Sequence, residues 1–270
     1  MAGRLVVCPT PIGNLEDVTL RLLDTLRSAD VVACEDTRRT RVLLDRHGIA
    51  ASLVSYHEHN ERERSEELLR RMEAGEVVAL ATDAGMPGVS DPGFVLVDAC
   101  VAAGVRVEVL PGPSAVLVAL VASGLPAQTW RFAGFLPRKA GALGELLGGA
   151  AETVVAFESP RRVGASLAVL AGLDPDRRVA VCRELTKVHE EIVRGTAAEL
   201  AERYTREDPR GEVVLVIGAA PEGAARDAEA VAAVRRLVDA GARRRPAAGV
   251  VAELTGTSAN DLYRMSSASD

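Results

Sequence analysis

The residues with the most chemical promise lie in turns that follow short apolar runs. The first is Cys8-Pro9-Thr10-Pro11-Ile12-Gly13-Asn14-Leu15. Two prolines make it stiff and poor in N–H donors, unlike a glycine-rich loop that wraps a pyrophosphate, so it suits the wall of a flat or neutral ligand or an ordinary rigid turn. The second is Asp83-Ala84-Gly85-Met86-Pro87-Gly88-Val89-Ser90-Asp91-Pro92-Gly93. It is longer than a plain connection requires. Its glycines let backbone approach a ligand and its prolines hold the shape, while Asp91 is placed to cap the helix that follows. The third is Pro111-Gly112-Pro113-Ser114-Ala115, with Ser114 a good N-cap. Three rigid turns, each at a strand end, point to one shared cleft.

Polar clusters occupy the other strand ends. Cys34-Glu35-Asp36-Thr37-Arg38, Ser55-Tyr56-His57-Glu58-His59-Asn60, Glu158-Ser159-Pro160-Arg161-Arg162 and Arg183-Glu184-Leu185-Thr186-Lys187 each follow an apolar run. Taken singly, such residues cap helices or pair on a surface. Together they have the composition of an active cleft. The histidines at 57 and 59 invite a zinc reading, but their spacing and a total of four histidines favour no metal.

The elements that must position these groups alternate β-branched runs with helical patterns, the signature of a parallel α/β architecture. Strands are expected at Leu5–Cys8, Val31–Cys34, Leu53–Ser55, Val77–Ala81 and Val105–Leu110, then at Arg131–Gly134, Thr153–Phe157, Arg178–Arg183 and Glu212–Ile217. Helices are expected at Val18–Ala29, Arg39–His47, Glu61–Ala74, Phe94–Ala103, Ser114–Ser123, Pro160–Ala171 and Thr196–Thr205. The most apolar stretch, Ala115 to Ala122, reads as a buried helix. Pro111-Gly112-Pro113 continues neither helix nor strand, which sets an N-terminal domain at 1–112 and a second at 113–220. Residues 221–270 change character: a linker at Pro221–Asp227, an Ala-rich helix at Ala228–Ala240, then a helix, turn and helix through Val250–Leu254, Gly256 and Ser258–Met265.

Composition narrows the class. A net charge of −6 argues against a protein that simply coats nucleic acid, though not against a local basic face. Aromatics at 3% leave few platforms for stacking bases. Only two of the 32 basic residues are lysines, Lys139 and Lys187. Cys8, Cys34, Cys100 and Cys182 sit singly in apolar runs, as small core residues of a reduced cytoplasmic protein. The chain opens into a strand without a signal-peptide pattern, and no run approaches the length of a membrane span.

Read in order, these strings resemble a known family. Thr10-Pro11-Ile12-Gly13-Asn14-Leu15-Glu16-Asp17, Cys34–Arg38, Ser55–Glu61, Asp83–Pro87, Ser90–Gly93, Leu110–Ala115, Gly134-Phe135-Leu136-Pro137, Glu158–Arg162 and Arg183–Lys187 are similar to the 16S rRNA cytidine 2′-O-ribose methyltransferases, a branch of the tetrapyrrole methylase superfamily. The resemblance runs from about residue 4 to 218 and weakly through the tail. It implies two α/β domains with a cleft between them for S-adenosylmethionine, a small helical C-terminal appendage, a homodimer, and the small ribosomal subunit as partner. By position it assigns the cofactor to Pro11, Asp83, Gly85, Met86, Pro87, Val89, Ser90, Ser114, Ala115, Phe157 and Glu158. Met86 stands where close relatives usually carry Thr, and Pro246 interrupts the Arg-rich tail. A ribose hydroxyl benefits from a general base, for which Glu35, Asp36, Glu58, Glu184 and Lys187 are the candidates by position. Arg38, Arg39, Arg161, Arg162, Arg243, Arg244 and Arg245 are candidates for RNA phosphates. Two other readings remain: a precorrin-type tetrapyrrole methyltransferase, and a non-catalytic ribosome-associated binding protein.

Overall fold

The computed structural model describes residues 3–221 and 224–267. The chain divides into two compact units, Met1–Val118 with Leu185–His189, and Ala119–Glu184 with Glu190–Asp270.

The first unit is built on a parallel sheet of order β3-β2-β4-β1-β5. Its strands are β1 (Arg4–Cys8), β2 (Val31–Cys34), β3 (Leu53–Ser55), β4 (Val77–Ala81) and β5 (Arg106–Val109). β1 pairs with β4 and β5, and β2 with β3 and β4, all in parallel register. The runs are continuously apolar because both faces are covered. On one face Val6, Cys8, Val32, Cys34, Ala79 and Ala81 pack with leucines of α1 (Leu20–Ser28) and α2 (Thr37–Arg46). On the other, Leu5, Val7, Val31, Ala33, Val78 and Leu80 pack under α3 (Glu61–Glu73) and α4 (Phe94–Ala102), with Tyr56 fully enclosed. Parallel pairing puts every strand's carboxyl end on one edge, so the turns after all five strands share that edge.

The second unit departs from the expected parallel arrangement. Its sheet, of order β6-β7-β10-β8-β9, contains β6 (Trp130–Phe135), β7 (Thr153–Glu158), β8 (Arg178–Arg183), β9 (Glu191–Thr196) and β10 (Val213–Ile217). Only β6 and β7 run parallel; β7–β10, β10–β8 and β8–β9 are antiparallel. The reason is local: β8 and β9 are joined by a short connection that reverses the chain, with no crossover helix. β9 lacks an apolar run because it lies at the sheet edge. α6 (Ala140–Gly148) also has no counterpart in the sequence reading, since its three glycines weaken the helical signal. The expected helix from Pro160 begins as a single 3-10 turn, Pro160–Arg162, before α7 (Val163–Leu173). α7 and α8 (Ala197–Arg206) cover one core with Val154, Val181 and Leu215.

Two further expectations are refined. α5 (Ala115–Ser123) is apolar all round but buried on one face only, through Val116, Ala119 and Leu120, while Leu117 is 50% and Val121 79% exposed. The N-cap position of α4 is held by Gly93, at φ 148°, two residues after Asp91. The tail is α9 (Ala224–Asp239), α10 (Arg244–Thr255) and α11 (Ala259–Ser267), with a core of its own around Val234, Ala248, Val251 and Leu262. The linker expected at Pro221–Asp227 is therefore largely helix, residues 222 and 223 lying outside the described residues. Pro246 fits because it occupies the first turn of α10, where its missing N–H has no intrahelical role.

Candidate active site

In the first unit the turns after β1, β4 and β5 pack on one another. Thr10 N–H donates to the Gly85 carbonyl and Gly85 N–H to the Thr10 carbonyl, each at 3.0 Å, a two-residue antiparallel bridge between otherwise separate loops. The buried Thr10 hydroxyl donates to the Thr82 carbonyl at 2.9 Å. Gly85 is in the left-handed region, at φ 84°, and packed closely: a Cβ would stand 3.3 Å from Ile12 Cγ2 and 3.5 Å from the Pro113 carbonyl oxygen. Pro9 lies directly against the Cα of Gly112. Pro11, Gly85 and Pro87 are buried, Asp83, Met86, Val89, Ser114 and Ala115 half-buried, and Ser90 is exposed at φ 63°. Met86 packs against the core beneath α4. Thr10 was not singled out from the sequence, although a threonine between two prolines is a position where a hydroxyl can lock a rigid turn. Thr82 was missed too. Its hydroxyl is buried without a hydrogen-bond partner.

The acidic string after β2 meets the same edge. Asp36 caps α2, accepting from Arg38 N–H at 2.8 Å, and is gripped in bidentate fashion by the Arg38 guanidinium at 3.1 and 2.8 Å. This side-chain pairing, above all, holds the Asp36 carboxyl down at about 2. Glu35 behaves in the opposite way. Burial, and then the negative charge of Asp83, raise its carboxyl above the usual range; the Asp83 backbone N–H, Arg39 and His57 pull it partly back. Glu58 and His59 are exposed after β3, while His57 is half-buried and its N–H donates to Asn60 Oδ1 at 2.8 Å. Lys187 belongs to the first unit, its stem lying over Gly13.

In the second unit Glu158 ends β7 and is 3% exposed. One carboxylate oxygen accepts from Ser159 N–H at 2.7 Å and meets Arg162 at 3.2 Å; the other accepts from Ser166 Oγ at 2.5 Å. Its side chain thus locks the start of α7. Phe157 is held edge-on by Phe132, 5.1 Å between ring centres. Arg162 also donates to the Leu136 and Pro137 carbonyls, whereas Arg161 is exposed. Glu184, at φ 51°, accepts from Glu212 N–H at 3.0 Å and packs against Gly211. Arg243 and Arg245 are exposed and Arg244 half-buried at the start of α10.

Among the described residues no group of three or more His, Cys, Asp or Glu side chains is arranged to hold a metal ion, and no helix is long and apolar enough to cross a membrane.

Two α/β sheets, with interlocked proline-glycine turns along the carboxyl edge of the parallel one, are the framework of a methylase class. The model for the Tetrapyrrole (Corrin/Porphyrin) Methylases matches residues 4–201, more than half the chain, and defines it as a methyltransferase of that family. Uroporphyrin-III C-methyl transferase from Thermus thermophilus, solved with S-adenyl homocysteine, superposes with a TM-score of 0.58 at 23% identity, covering 80% of this chain and 97% of that one. Nearer in sequence are the ribosomal RNA small subunit methyltransferase I of Mesorhizobium japonicum, 47% identical over 96% of this chain and 90% of its own length, and that of Thermotoga maritima, 42% identical over 80% and 98%. The chain belongs to the ribosomal RNA small subunit methyltransferase I family.

Proposed function

We propose that this protein transfers the methyl group of S-adenosylmethionine to the 2′-hydroxyl of a cytidine ribose in 16S rRNA of the small ribosomal subunit. The observation that carries this reading is the 47% identity to an rRNA small subunit methyltransferase I along 96% of the chain.

The turns fit the cofactor. They are rigid and carry few charges, and their close packing, Pro9 against Gly112 and Ile12 against Gly85, holds the backbone of the three turns together. The Thr82 hydroxyl, buried and unpartnered, directly follows β4 and precedes the second of these turns. Pro11, Gly85, Met86, Pro87, Val89, Ser114 and Ala115 would hold the cofactor. When bound, the sulfonium supplies an activated methyl group. Glu158 contributes through its place at the end of β7, since both its carboxylate oxygens are occupied within the second unit.

Glu35 is the proton acceptor favoured among the five candidates. Asp36 is too acidic, tied to Arg38; the Glu184 carboxylate holds the Glu212 N–H; Glu58 is solvent-exposed. Glu35 combines partial burial with a raised proton affinity, the property a base needs near neutral pH. Lys187, over the first turn, and the exposed Arg38, Arg161, Arg243 and Arg245 supply positive charge for RNA phosphates, with α9–α11 as a second contact region. The protein acts in the cytoplasm as a homodimer. Exposed Phe94, Val101 and Val109, on α4 and the edge strand β5, supply apolar surface for the second copy.

The test is incubation with labelled S-adenosylmethionine and small subunits from cells lacking the enzyme, followed by mapping of ribose methylation. Label at a single 16S cytidine is the expected result. Methylation of a precorrin but not rRNA would overturn the proposal in favour of a tetrapyrrole substrate, and no transfer to either would leave a binding protein.

A further inference from the structure

Glu35 does not stand alone at the end of β2. The last paired residues of β2 and β4 are Cys34 and Ala81, so Glu35 and Thr82 continue that register and Asp83 follows. There the two strand ends are hydrogen-bonded across the corner. The Asp36 backbone N–H, in the peptide that directly follows Glu35, donates to Asp83 Oδ1 at 3.0 Å. The second Asp83 oxygen, Oδ2, pairs with Arg39 Nη1 at 3.3 Å. Arg39 lies in the first turn of α2, so the helix that Asp36 caps also carries the cation that holds Asp83.

Both Asp83 oxygens are therefore committed to the corner between β2 and α2. That argues against a direct ligand contact for this carboxylate, and it binds Arg39 to an inward partner although its side chain is 65% exposed. We infer that Asp83 and Arg39 are a positioning pair: Asp83 clasps the β2–α2 corner to the end of β4, Arg39 holds Asp83 in place, and the two together orient the Glu35 carboxyl toward the substrate hydroxyl. The inference rests on reading Glu35 as the proton acceptor.

The charged groups facing Glu35 come from three elements: Asp83 beyond β4, Arg39 on α2 and His57 in the turn after β3. Asp83 and Arg39 act on it with opposite sign. A neighbouring carboxylate disfavours ionisation, and a guanidinium favours it. Removing the negative charge in Asp83→Asn should lower the pH at which Glu35 titrates, while removing the positive charge in Arg39→Gln should raise it. The opposed shifts report charge, and positioning is read from the single-turnover rate above the acidic limb, which falls when the ionised carboxyl is misoriented.

The experiment is a pH titration of 13C-carboxyl-labelled protein by NMR, the Glu35 signal assigned by its loss in Glu35→Gln, beside pH profiles of single-turnover methyl transfer. The acidic limb is expected at lower pH in Asp83→Asn, at higher pH in Arg39→Gln, and near its original place in Arg39→Lys, with cofactor affinity unchanged in all three. Shifts in the same direction, or an unmoved Glu35 signal, would overturn the positioning pair. If Asp83→Asn does not fold, Arg39→Gln alone decides, because its side chain is largely exposed and its predicted shift has a defined sign. A Glu35→Gln enzyme with normal single-turnover rates would instead overturn the acceptor reading, separately from whether the NMR shifts appear.

Discussion

The stem of Lys187 lies across Gly13, so closely that a Cβ on Gly13 would overlap Lys187 Cγ and crowd Thr186 Oγ1 and the Leu185 carbonyl. Glu184 and Thr186 on either side of Leu185 adopt left-handed backbone, at φ 51° and 65°. Non-glycine residues adopt this conformation at a cost of about 1–3 kcal/mol each and keep it where surrounding contacts impose it. The strap between β8 and β9 is thus held on the first turn, and Gly13 is the residue that admits it.

Gly13→Ala is therefore expected to displace the strap. Thermal or urea unfolding should show a loss of roughly 1–3 kcal/mol from overpacking, and methyl transfer should fall as Lys187 leaves the first turn. Asn14→Ala next door, exposed in the same loop, is the control and should leave Lys187 in place.

Arg177 is a second, purely architectural anchor. It is 3% exposed, pairs with Asp174 at 2.8 Å, and donates to the carbonyls of Leu147, Gly148 and Gly218. It satisfies the last carbonyls of α6 and ties them to the end of β10. Arg177→Ala should cost about 3–5 kcal/mol, because it strands a carboxylate and buried carbonyls. Arg177→Lys should recover only part of this, since a single ammonium cannot span the guanidinium's fork. Denaturant titration measures both.

The thiols should be inert in the folded protein. Burial pushes Cys8 up to about 12, and Cys100 and Cys182 to about 11, with Cys34 raised as well. All four are buried and unpaired, and reaction requires the thiolate. Alkylation at pH 8 should label none of them at a rate comparable with free cysteine, and all four once denaturant is added.

Asp36 gives a pH signature. Its folded carboxyl sits near 2 against an ordinary 3.8. A depressed acid contributes stability above its ordinary value and loses it as pH falls toward the folded one. Asp36→Asn keeps a competent helix cap but loses the charge. The melting temperature of the native protein should fall more steeply than that of Asp36→Asn between about pH 4 and pH 2.

Much of the first unit was legible from residues alone. The runs Leu5–Cys8, Val31–Cys34 and Val77–Ala81 are continuously apolar, which is how a strand buried on both faces reads. The prolines and glycines that end them mark the turns directly. The second unit was harder. β9 reads Glu-Ile-Val-Arg-Gly-Thr and is only half-buried at its sheet edge, so it carries neither an apolar run nor a clean alternation. α5 misled in the other direction, because its uniform apolarity signals burial while Leu117 and Val121 face outward.

The sequence by itself determined the strand-ending turns, the acidic and arginine strings and, through their order, the family. Those are local properties of rigid or charged residues, and they survive whatever the rest of the chain does. Tertiary structure decided which groups meet. Thr10 bridges Gly85, Asp83 reaches back across 47 residues to Asp36, and Lys187 returns to Gly13. It also set Asp36 and Glu35, adjacent and alike in composition, on opposite sides of the usual carboxylate range. A proton's affinity depends on burial and neighbouring charge, and neither exists until the chain has folded.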